Sequence, residues 1–309
     1  MARSQASIPD PDALPGGCRY EPKWDGYRAT VTSGELGVRI WSRRGTDMTE
    51  AFPELTAAAA QLPEGTVLDG EVVAWVGGRL DFDALQQRLS AGKKRRRALA
   101  RDLQASLVLF DVLALAGEDV RVRPFDERRH MLEQLAASWR PPLTLSPMTV
   151  DVAEARGWFE DMAAAGIEGL VVKGAQQAYK PGERQWIKVK YRNITDVIVG
   201  AVIGPIERPK AVVVGNYVDG ELRIVGRSTP LKPSVARSLG ALLRPPIGEH
   251  PWPEFVSPGA VDRFNAGNDP VRLTLVDPVP AEISADVAQS HGVYRHGVRF
   301  VRLVTEPRS

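Results

Sequence analysis

The pattern of apolar residues changes near residue 193, and this change limits the folds that the chain can adopt. Before it, strand-like runs alternate with helix-like segments. From about Asp196 onward, short strand-like runs are separated by Gly, Pro and Asp, namely VIVGAVIG, AVVVGNYV, ELRIVGRS and VRFVRLV. About five strands with little helix predict a small β-barrel. Because 309 residues are enough for two domains, we place a boundary at 191–195.

The first part of the chain predicts a mixed α+β domain. Residues 28–40 alternate and turn at Ser33-Gly34, as in a β-hairpin. Thr49 is a suitable N-cap for a helix that runs through the alanines and ends before Pro63. The same reasoning predicts helices over 82–89, 126–138 and 151–165. It predicts one strand over 67–75 that carries Asp69 and Glu71 at its middle, and further strands at 107–113, 170–172 and 186–189.

Bulk charge gives no sign of a polyanionic partner. The net charge is +2, and both parts are balanced: residues 1–192 hold 27 Lys and Arg against 26 Asp and Glu, and residues 193–309 hold 13 against 12. Binding to nucleic acid must therefore come from local patches. The one charge run, KKRRR at 93–97, is interpreted as a solvated face, with contact to a phosphate backbone as the alternative.

Cysteine content and the N-terminal segment indicate the compartment. The one cysteine, Cys18, excludes a disulfide within the chain and fits a reducing cytoplasm. We find no apolar run long enough to span a membrane. Residues 1–17 lack the apolar core of a signal peptide, and we interpret them as a loose leader.

Three lysines stand in patterns that fit phosphate chemistry. Lys23 lies in EPKWDGYR, and a lysine nucleophile needs its pKa lowered from about 10.4 towards neutrality. Nearby cations or a divalent metal ion have this effect. Lys188 and Lys190 alternate in WIKVK, so they lie on one face of a strand. Two ammonium groups on one buried face require an anion between them, and a triphosphate is such an anion.

Acidic, aromatic and guanidinium side chains complete this set. Glu71 in LDGE and Glu168 in IEGLVVK interrupt apolar strands. Mg²⁺ prefers such oxygen ligands together with substrate phosphates. Phe110, in an apolar run, is placed to stack on a base, and Arg43 offers a fork of donors for phosphate or ribose. The tryptophans beside these motifs are interpreted as core packing, namely Trp24 and Trp186.

Six segments in chain order resemble the motifs of the covalent nucleotidyltransferases, the superfamily of DNA ligases, RNA ligases and mRNA capping enzymes. They are KWDGYR (23–28), SRRG (42–45), LDGE (68–71), LFD (109–111), EGLVVK (168–173) and WIKVK (186–190). The sequences EPKWDGYR, FDVL followed by PFDERR, and IEGLVVK are similar to the corresponding motif sequences of ATP-dependent DNA ligases. The chain most resembles the compact bacterial type.

The resemblance implies a fold, a reaction and partners. The fold is α+β: an adenylyltransferase domain (ATP-grasp-like nucleotidyltransferase) with antiparallel sheets and flanking helices over residues 1–192, and a C-terminal OB-fold β-barrel over 193–309. The implied cofactors are ATP and Mg²⁺ or Mn²⁺, and the implied substrate is nicked double-stranded DNA. The resemblance also implies a monomer at the bacterial nucleoid, with end-joining or repair proteins as partners.

The resemblance assigns a role to each candidate residue. Lys23 attacks the α-phosphate of ATP and carries AMP, Glu21 reads adenine, and Phe110 stacks on it. The side chains implied to contact ribose and phosphates are Arg28, Arg43, Glu71, Lys188 and Lys190. Those implied to hold metal are Glu71 and Glu168.

The last motif of the family departs from its usual form in this chain. It is basic and orients the departing pyrophosphate, and we assign that role to Arg302. Val304 stands where a second Arg is expected, and Glu306 stands where Asp usually follows. Two alternatives remain open: an RNA ligase or capping-type transferase, and an adenylylation-defective protein that binds nucleic acid. Val304 is the feature that favours the second alternative.

Overall fold

The chain folds into two units that meet in sequence at Tyr191. The computed structural model describes residues 2–261, 269–286, 289–290 and 292–304. Unit 1 is Met1–Tyr191 and unit 2 is Arg192–Ser309. Each unit has a hydrophobic core of its own.

Strands and helices alternate along unit 1. Its described strands are β1 (Ala2–Gln5), β2 (Cys18–Pro22), β3 (Tyr27–Gly34), β4 (Gly37–Ser42), β5 (Thr66–Val76), β6 (Arg79–Leu80), β7 (Ala105–Leu115), β8 (Glu118–Asp119), β9 (Leu143–Leu145), β10 (Gly169–Gly174) and β11 (Trp186–Lys190). Its described α-helices are α1 (Pro53–Ala59), α2 (Phe82–Ser90), α3 (Lys93–Asp102), α4 (Phe125–Ala136) and α5 (Val152–Asp161).

These strands form two sheets. The large sheet has the order β4-β3-β5-β7-β8, with β6 beside β5 and β9 beside β7. The small sheet has the order β1-β11-β10-β2. The β1–β11 and β7–β9 pairs are parallel, and the other pairs described in these sheets are antiparallel. The predicted architecture of antiparallel sheets with flanking helices is confirmed for this unit.

The N-terminal segment is an ordered part of the small sheet. β1 pairs with β11, and Ser4 lies opposite Lys188. The Tyr20 hydroxyl donates to the Pro9 carbonyl at 2.9 Å, and Leu14 is buried in the core beside this sheet. The interpretation of residues 1–17 as a loose leader is therefore wrong, because they contribute a strand and core contacts.

The core of the large sheet is formed by alternating strand residues and by helices packed on one face. In β3, Ala29 and Val31 are fully buried, as the period of two in a strand requires. Helices α1, α2 and α4 each add a fully buried leucine to the same core, namely Leu55, Leu85 and Leu132. Burial of such side chains is the main contribution to stability.

Two predicted elements differ in the structure. The 28–40 hairpin forms as β3 and β4, but its turn lies at 35–36. The helix predicted from Thr49 is shorter, since Thr49 starts a 3-10 turn and α1 begins at Pro53. Thr49 does not cap a helix because its Oγ1 accepts a hydrogen bond from the Ile40 amide at 3.0 Å.

A buried ion pair joins α4 to the large sheet. Arg128 and Asp111 are both fully buried, and the guanidinium donates to the two carboxylate oxygens at 2.8 and 3.0 Å. Arg128 also donates to the carbonyls of Arg123 and Gln177. These bonds fix the middle of β7, where Phe110 precedes Asp111.

Unit 2 is richer in strands. Its described strands are β12 (Arg192–Ile203), β13 (Ala211–Val218), β14 (Glu221–Arg227), β15 (Phe255–Val256), β16 (Val271–Arg272), β17 (Thr274–Asp286), β18 (Gln289–Ser290), β19 (Val293–Tyr294) and β20 (Arg299–Leu303). Its described helices are α6 (Pro233–Leu242) and α7 (Pro258–Val261). None of the described helices of either unit is long and apolar enough to cross a membrane.

A five-stranded antiparallel sheet, ordered β14-β13-β12-β17-β20, organises unit 2. Both faces are covered: Val212 and Val214 belong to one core, whereas Val213 packs in a second core with Trp252. The four quoted strand-like runs are found as strands. β17 was not among them, because Pro278 and Pro280 interrupt its apolar pattern. Glu306 lies outside the described residues.

Replacement of Asp111 by Ala is expected to lower the free energy of unfolding by about 3–5 kcal/mol, because the Arg128 charge stays buried without its carboxylate. Asp119→Ala, which removes an exposed carboxylate paired with Arg121, is the matched control and is expected to have little effect. Urea denaturation measures both. Equal stability of the two variants would contradict the structural role of the buried pair.

Candidate functional site

Two backbone hydrogen bonds bring Lys23 and Glu168 together. Lys23 follows β2 directly, and its amide donates to the Gly169 carbonyl at 2.8 Å. The Glu168 amide donates to the Lys23 carbonyl at 2.9 Å. Gly169 has a φ of +136°, and a Cβ there would lie 2.0 Å from the Val189 carbonyl oxygen. Only glycine allows β10 and β11 to approach so closely at this point.

The Lys23 side chain forms an ion pair inside unit 1. Its ammonium is hydrogen bonded to the carboxylate of Glu168, which is almost fully buried. Lys190 Nζ lies 3.5 Å from the same carboxylate. Burial by itself lowers the pKa of Lys23, but the facing carboxylates, Glu168 first, outweigh burial and raise this pKa. In this state Lys23 is an ammonium ion and is not yet a nucleophile.

Glu71 lies across from Arg28 on the neighbouring strand. A Cβ at Gly26 would lie 2.1 Å from the Val72 carbonyl oxygen, so the turn after Lys23 approaches β5 closely only with glycine. Burial raises the pKa of Glu71 to about 8, against the lowering effect of the Lys23 and Arg28 charges. This carboxyl therefore lacks full compensation by the protein's own cations.

Arg28 is held by Asp69 and Tyr179. Its guanidinium donates to both Asp69 carboxylate oxygens at 3.0 and 2.6 Å, and to the Tyr179 hydroxyl at 3.2 Å. The Tyr179 hydroxyl donates to Asp69 at 2.8 Å. The guanidinium carbon lies 5.7 Å from the Phe110 ring centroid and 5.2 Å from that of Trp186. Such a bidentate and stacked arrangement fixes the position of Arg28.

The aromatic rings surround a buried lysine. Lys173 pairs with Glu21 at 2.8 Å and donates to the Phe110 carbonyl at 2.9 Å. Its ammonium lies 4.7 Å from the Phe110 ring centroid and 4.6 Å from that of Trp186. Glu21 is buried, and its Oε1 has no hydrogen-bond partner among the residues that the structure describes. Arg129 Nη1 lies 3.7 Å from this oxygen, beyond hydrogen-bond distance, so a donor from a ligand can still complete its hydrogen bonding.

These side chains line one cavity of about 240 Å³ in unit 1. Two further cavities also have Arg28 and Arg43 in their walls, so all three adjoin one another. The sequence-predicted residues that line the 240 Å³ cavity are Glu21, Lys23, Arg28, Arg43, Glu71, Phe110 and Lys188. The cavity is aromatic on one side and charged on the other, which suits a nucleotide.

Three predicted residues are placed differently. Glu168 and Lys190 do not line the 240 Å³ cavity, but both are linked to Lys23 through the Glu168 carboxylate. Arg302 belongs to unit 2, where its guanidinium donates to both carboxylate oxygens of Glu282 at 2.9 and 2.6 Å.

Sequence reasoning missed several residues of the site. Trp186 is buried and Trp24 packs against a buried cluster, as interpreted, but both also line the cavity, which the sequence did not indicate. Lys173 could have been predicted as a buried, paired residue, because a lysine at the end of the buried run GLVVK needs a counter-ion. Tyr179 lies between β10 and β11, and its own sequence neighbourhood carries no signal for contact with Asp69.

The carboxylates fit a metal ion that arrives with a substrate. Among the described residues, no three His, Cys, Asp or Glu side chains form a group able to hold a metal ion. Glu71 and Glu168 both act electrostatically on Lys23. Mg²⁺ typically takes one or two carboxylates and completes its shell with phosphate oxygens and water. Two such acids beside a nucleotide-sized cavity meet that requirement.

Comparison with known proteins agrees with this chemistry. The family model for the ATP dependent DNA ligase domain matches residues 7–190. A solved structure of mycobacterial DNA ligase D complexed with ATP and MES is similar to the chain, with a TM-score of 0.50 and 26% identity; the match covers 100% of this chain and 96% of that one.

Two curated relatives match over almost the whole chain. DNA ligase C2 of Mycolicibacterium smegmatis is 35% identical, over 94% of this chain and 86% of the relative. DNA ligase C of Mycobacterium tuberculosis is 35% identical, over 98% and 88% respectively. The chain therefore belongs to the ATP-dependent DNA ligases, enzymes that use ATP and a divalent metal ion to seal nicks in DNA.

Proposed function

We propose that Lys23 is the nucleophile of this ligase and that residues 1–192 form its adenylation domain. The observation that carries the proposal is the position of Lys23, at a cavity with aromatic side chains on one side and basic side chains on the other. The Nζ atom attacks the α-phosphorus of ATP, a P–N bond forms, and the P–O bond to pyrophosphate breaks. AMP then passes to the 5′-phosphate at a nick, and the 3′-hydroxyl displaces it.

Activation of Lys23 requires loss of its proton. Glu168 stabilises the ammonium form before the reaction. Glu71 and Glu168 would hold Mg²⁺ or Mn²⁺, which would supply positive charge beside the phosphates. The proton passes along the hydrogen bond from the Lys23 ammonium to the Glu168 carboxylate, and burial, which by itself lowers the pKa of Lys23, favours the neutral amine that remains. The ion pair therefore keeps the nucleophile in place until substrate binds.

The aromatic side of the cavity is proposed to bind adenine. Phe110 stacks on the base, and Trp186 borders it. The Glu21 carboxylate, whose Oε1 has no hydrogen-bond partner among the described residues, accepts a hydrogen bond from the exocyclic amine. Guanine carries a carbonyl at the corresponding position, so the same acceptor disfavours GTP. Lys173 holds Glu21 in place.

The basic side of the cavity is proposed to bind ribose and phosphates. Arg28 and Arg43 lie in the walls of all three adjoining cavities. Lys188 and Lys190 face the same side of β11 and stabilise the charge that develops on the α-phosphate. In phosphoryl transfer, such positioning and charge neutralisation supply most of the rate enhancement.

Residues 193–309 are proposed to form an OB-fold barrel that binds DNA. The five-stranded antiparallel sheet with both faces covered supports this assignment. Arg302 is proposed to orient pyrophosphate, and for that role it must exchange Glu282 for the phosphate oxygens. Val304 has an uncharged side chain and contributes no charge to this role. We further propose a monomer in the bacterial cytoplasm at the nucleoid, acting with end-joining or repair proteins on nicked duplex DNA.

Lys23→Ala is expected to abolish the covalent adduct formed with α-labelled ATP and Mg²⁺, because the amine that forms the P–N bond is removed. The variant is expected to keep sealing a nick that already carries AMP on its 5′-phosphate, which shows that it folds. Lys232→Ala, at an exposed lysine of unit 2, is the control and retains the adduct. An adduct in Lys23→Ala, an adduct formed only with GTP, or sealing of nicked RNA but not DNA would overturn the proposal.

Tyr179→Phe is expected to slow adduct formation roughly tenfold at saturating ATP. Hydrogen bonds to charged groups contribute about 1.5–3 kcal/mol, and about 1.4 kcal/mol corresponds to a factor of ten in rate. The change removes the hydroxyl that links Arg28 to Asp69 and leaves the ring in place. The control is Tyr217→Phe at an exposed tyrosine of unit 2. An unchanged rate in Tyr179→Phe would show that this hydroxyl does not position Arg28.

A further inference from the structure

Helix α3 (Lys93–Asp102, KKRRRALARD) has a composition that its own packing does not explain. Six of its ten residues are Lys or Arg, and one is acidic. None of its described side chains is buried, and Lys94, Arg95 and Arg101 are exposed to solvent. Among the described residues, no carboxylate forms an ion pair with these three side chains. Core packing therefore does not account for the charge of this helix.

The charges also act against the helix itself. Its first turn contains no acidic residue, and cations there oppose the positive end of the helix dipole. Gly92 at the N-cap offers no side chain to offset this. Phosphate groups along the exposed face would relieve the repulsion.

The protein nevertheless fixes this helix at both ends. Arg88 of α2, fully buried and paired with Glu54, donates to the Leu103 carbonyl at 3.1 Å, just after α3. Near the start, Arg96 donates to the Leu89 carbonyl at 3.0 Å. The cations therefore stand on a positioned surface of unit 1, and binding costs little ordering of the chain.

A cavity connects α3 to the nucleotide site. Arg96 lines a cavity of about 750 Å³ whose wall also contains Arg43, Arg44 and Glu71. Arg43 and Glu71 line the 240 Å³ cavity as well. The buried Nε of Arg96 has no hydrogen-bond partner among the described residues. The cavity wall holds four arginines, including Arg28, against two acids, so an anion is favoured there.

We propose that the exposed face of α3, carrying Lys94, Arg95 and Arg101, binds the phosphate backbone of the duplex substrate beside the nick. This face and the arginines at the 750 Å³ cavity then form one basic surface that leads to Lys23. The inference rests on the ligase function and adds a DNA contact within residues 1–192. It also explains how a chain of net charge +2 binds a polyanion, since the positive charge is concentrated locally.

The test compares two triple variants that remove the same charge. The first is Lys94→Gln, Arg95→Gln and Arg101→Gln together. The control is Arg79→Gln, Arg140→Gln and Arg156→Gln, three exposed arginines of unit 1 that line none of the three adjoining cavities. Fluorescence anisotropy with a nicked duplex, over a series of salt concentrations, gives the slope of log K against log [salt].

Each phosphate contact contributes about 0.9 to the magnitude of this slope, so the α3 variant is expected to show a slope shallower by about 2–3, whereas the control keeps the wild-type slope. Adduct formation from ATP without DNA is expected to be unchanged, and the melting temperature is expected to stay equal or to rise. A slope equal to that of the control would overturn the proposal and assign α3 to another partner. Absence of the adduct in the wild-type protein would instead refute the ligase assignment.

Discussion

The ion pair between Lys23 and Glu168 depends on how β2 and β10 are paired. Because these strands are antiparallel, the residue after β2 and the residue before β10 lie at the same end of this strand pair in the small sheet. The positive φ of Gly169 then lets the chain pass close to β11, which carries Lys188 and Lys190. One strand register thus places Lys23, the Glu168 carboxylate and the two lysines of β11 together. The cavity and its proposed chemistry depend on this register.

Buried charge is concentrated around this end of the β2–β10 pair. Glu21 with Lys173, and Arg28 with Asp69, are ion pairs with at least one fully buried partner. Such pairs contribute little net stability, because desolvation offsets most of the attraction. Their value lies in holding side chains at fixed positions around a ligand. On the surface, the positive charge of helix α3 likewise disfavours the isolated helix and favours contact with DNA.

The sequence predicted the core of the site better than its periphery. Lys23, Glu71 and Phe110 stand in short motifs whose residue types already match phosphoryl transfer, and the structure brings them to one cavity. Tyr179 was not predictable in this way, because its contact with Asp69 spans 110 residues and depends on how the segment before β11 folds back. The roles assigned to these residues remain predictions.

The same limit applies to the fold. Alternating strands such as β3 and amphipathic helices such as α4 were predicted, since their periodicity is local. β1 was not, because four polar and small residues become a strand only when β11 offers a partner edge. Thr49 has the chemistry of a helix cap, but a tertiary hydrogen bond to Ile40 directs it elsewhere.

Peptide mapping determines whether Lys23 carries AMP. The protein is incubated with ATP and Mg²⁺, digested, and analysed by tandem mass spectrometry to locate the modified side chain. A single AMP is expected on the Nζ atom of Lys23. AMP on Lys173 or Lys188, with Lys23 unmodified, would contradict it.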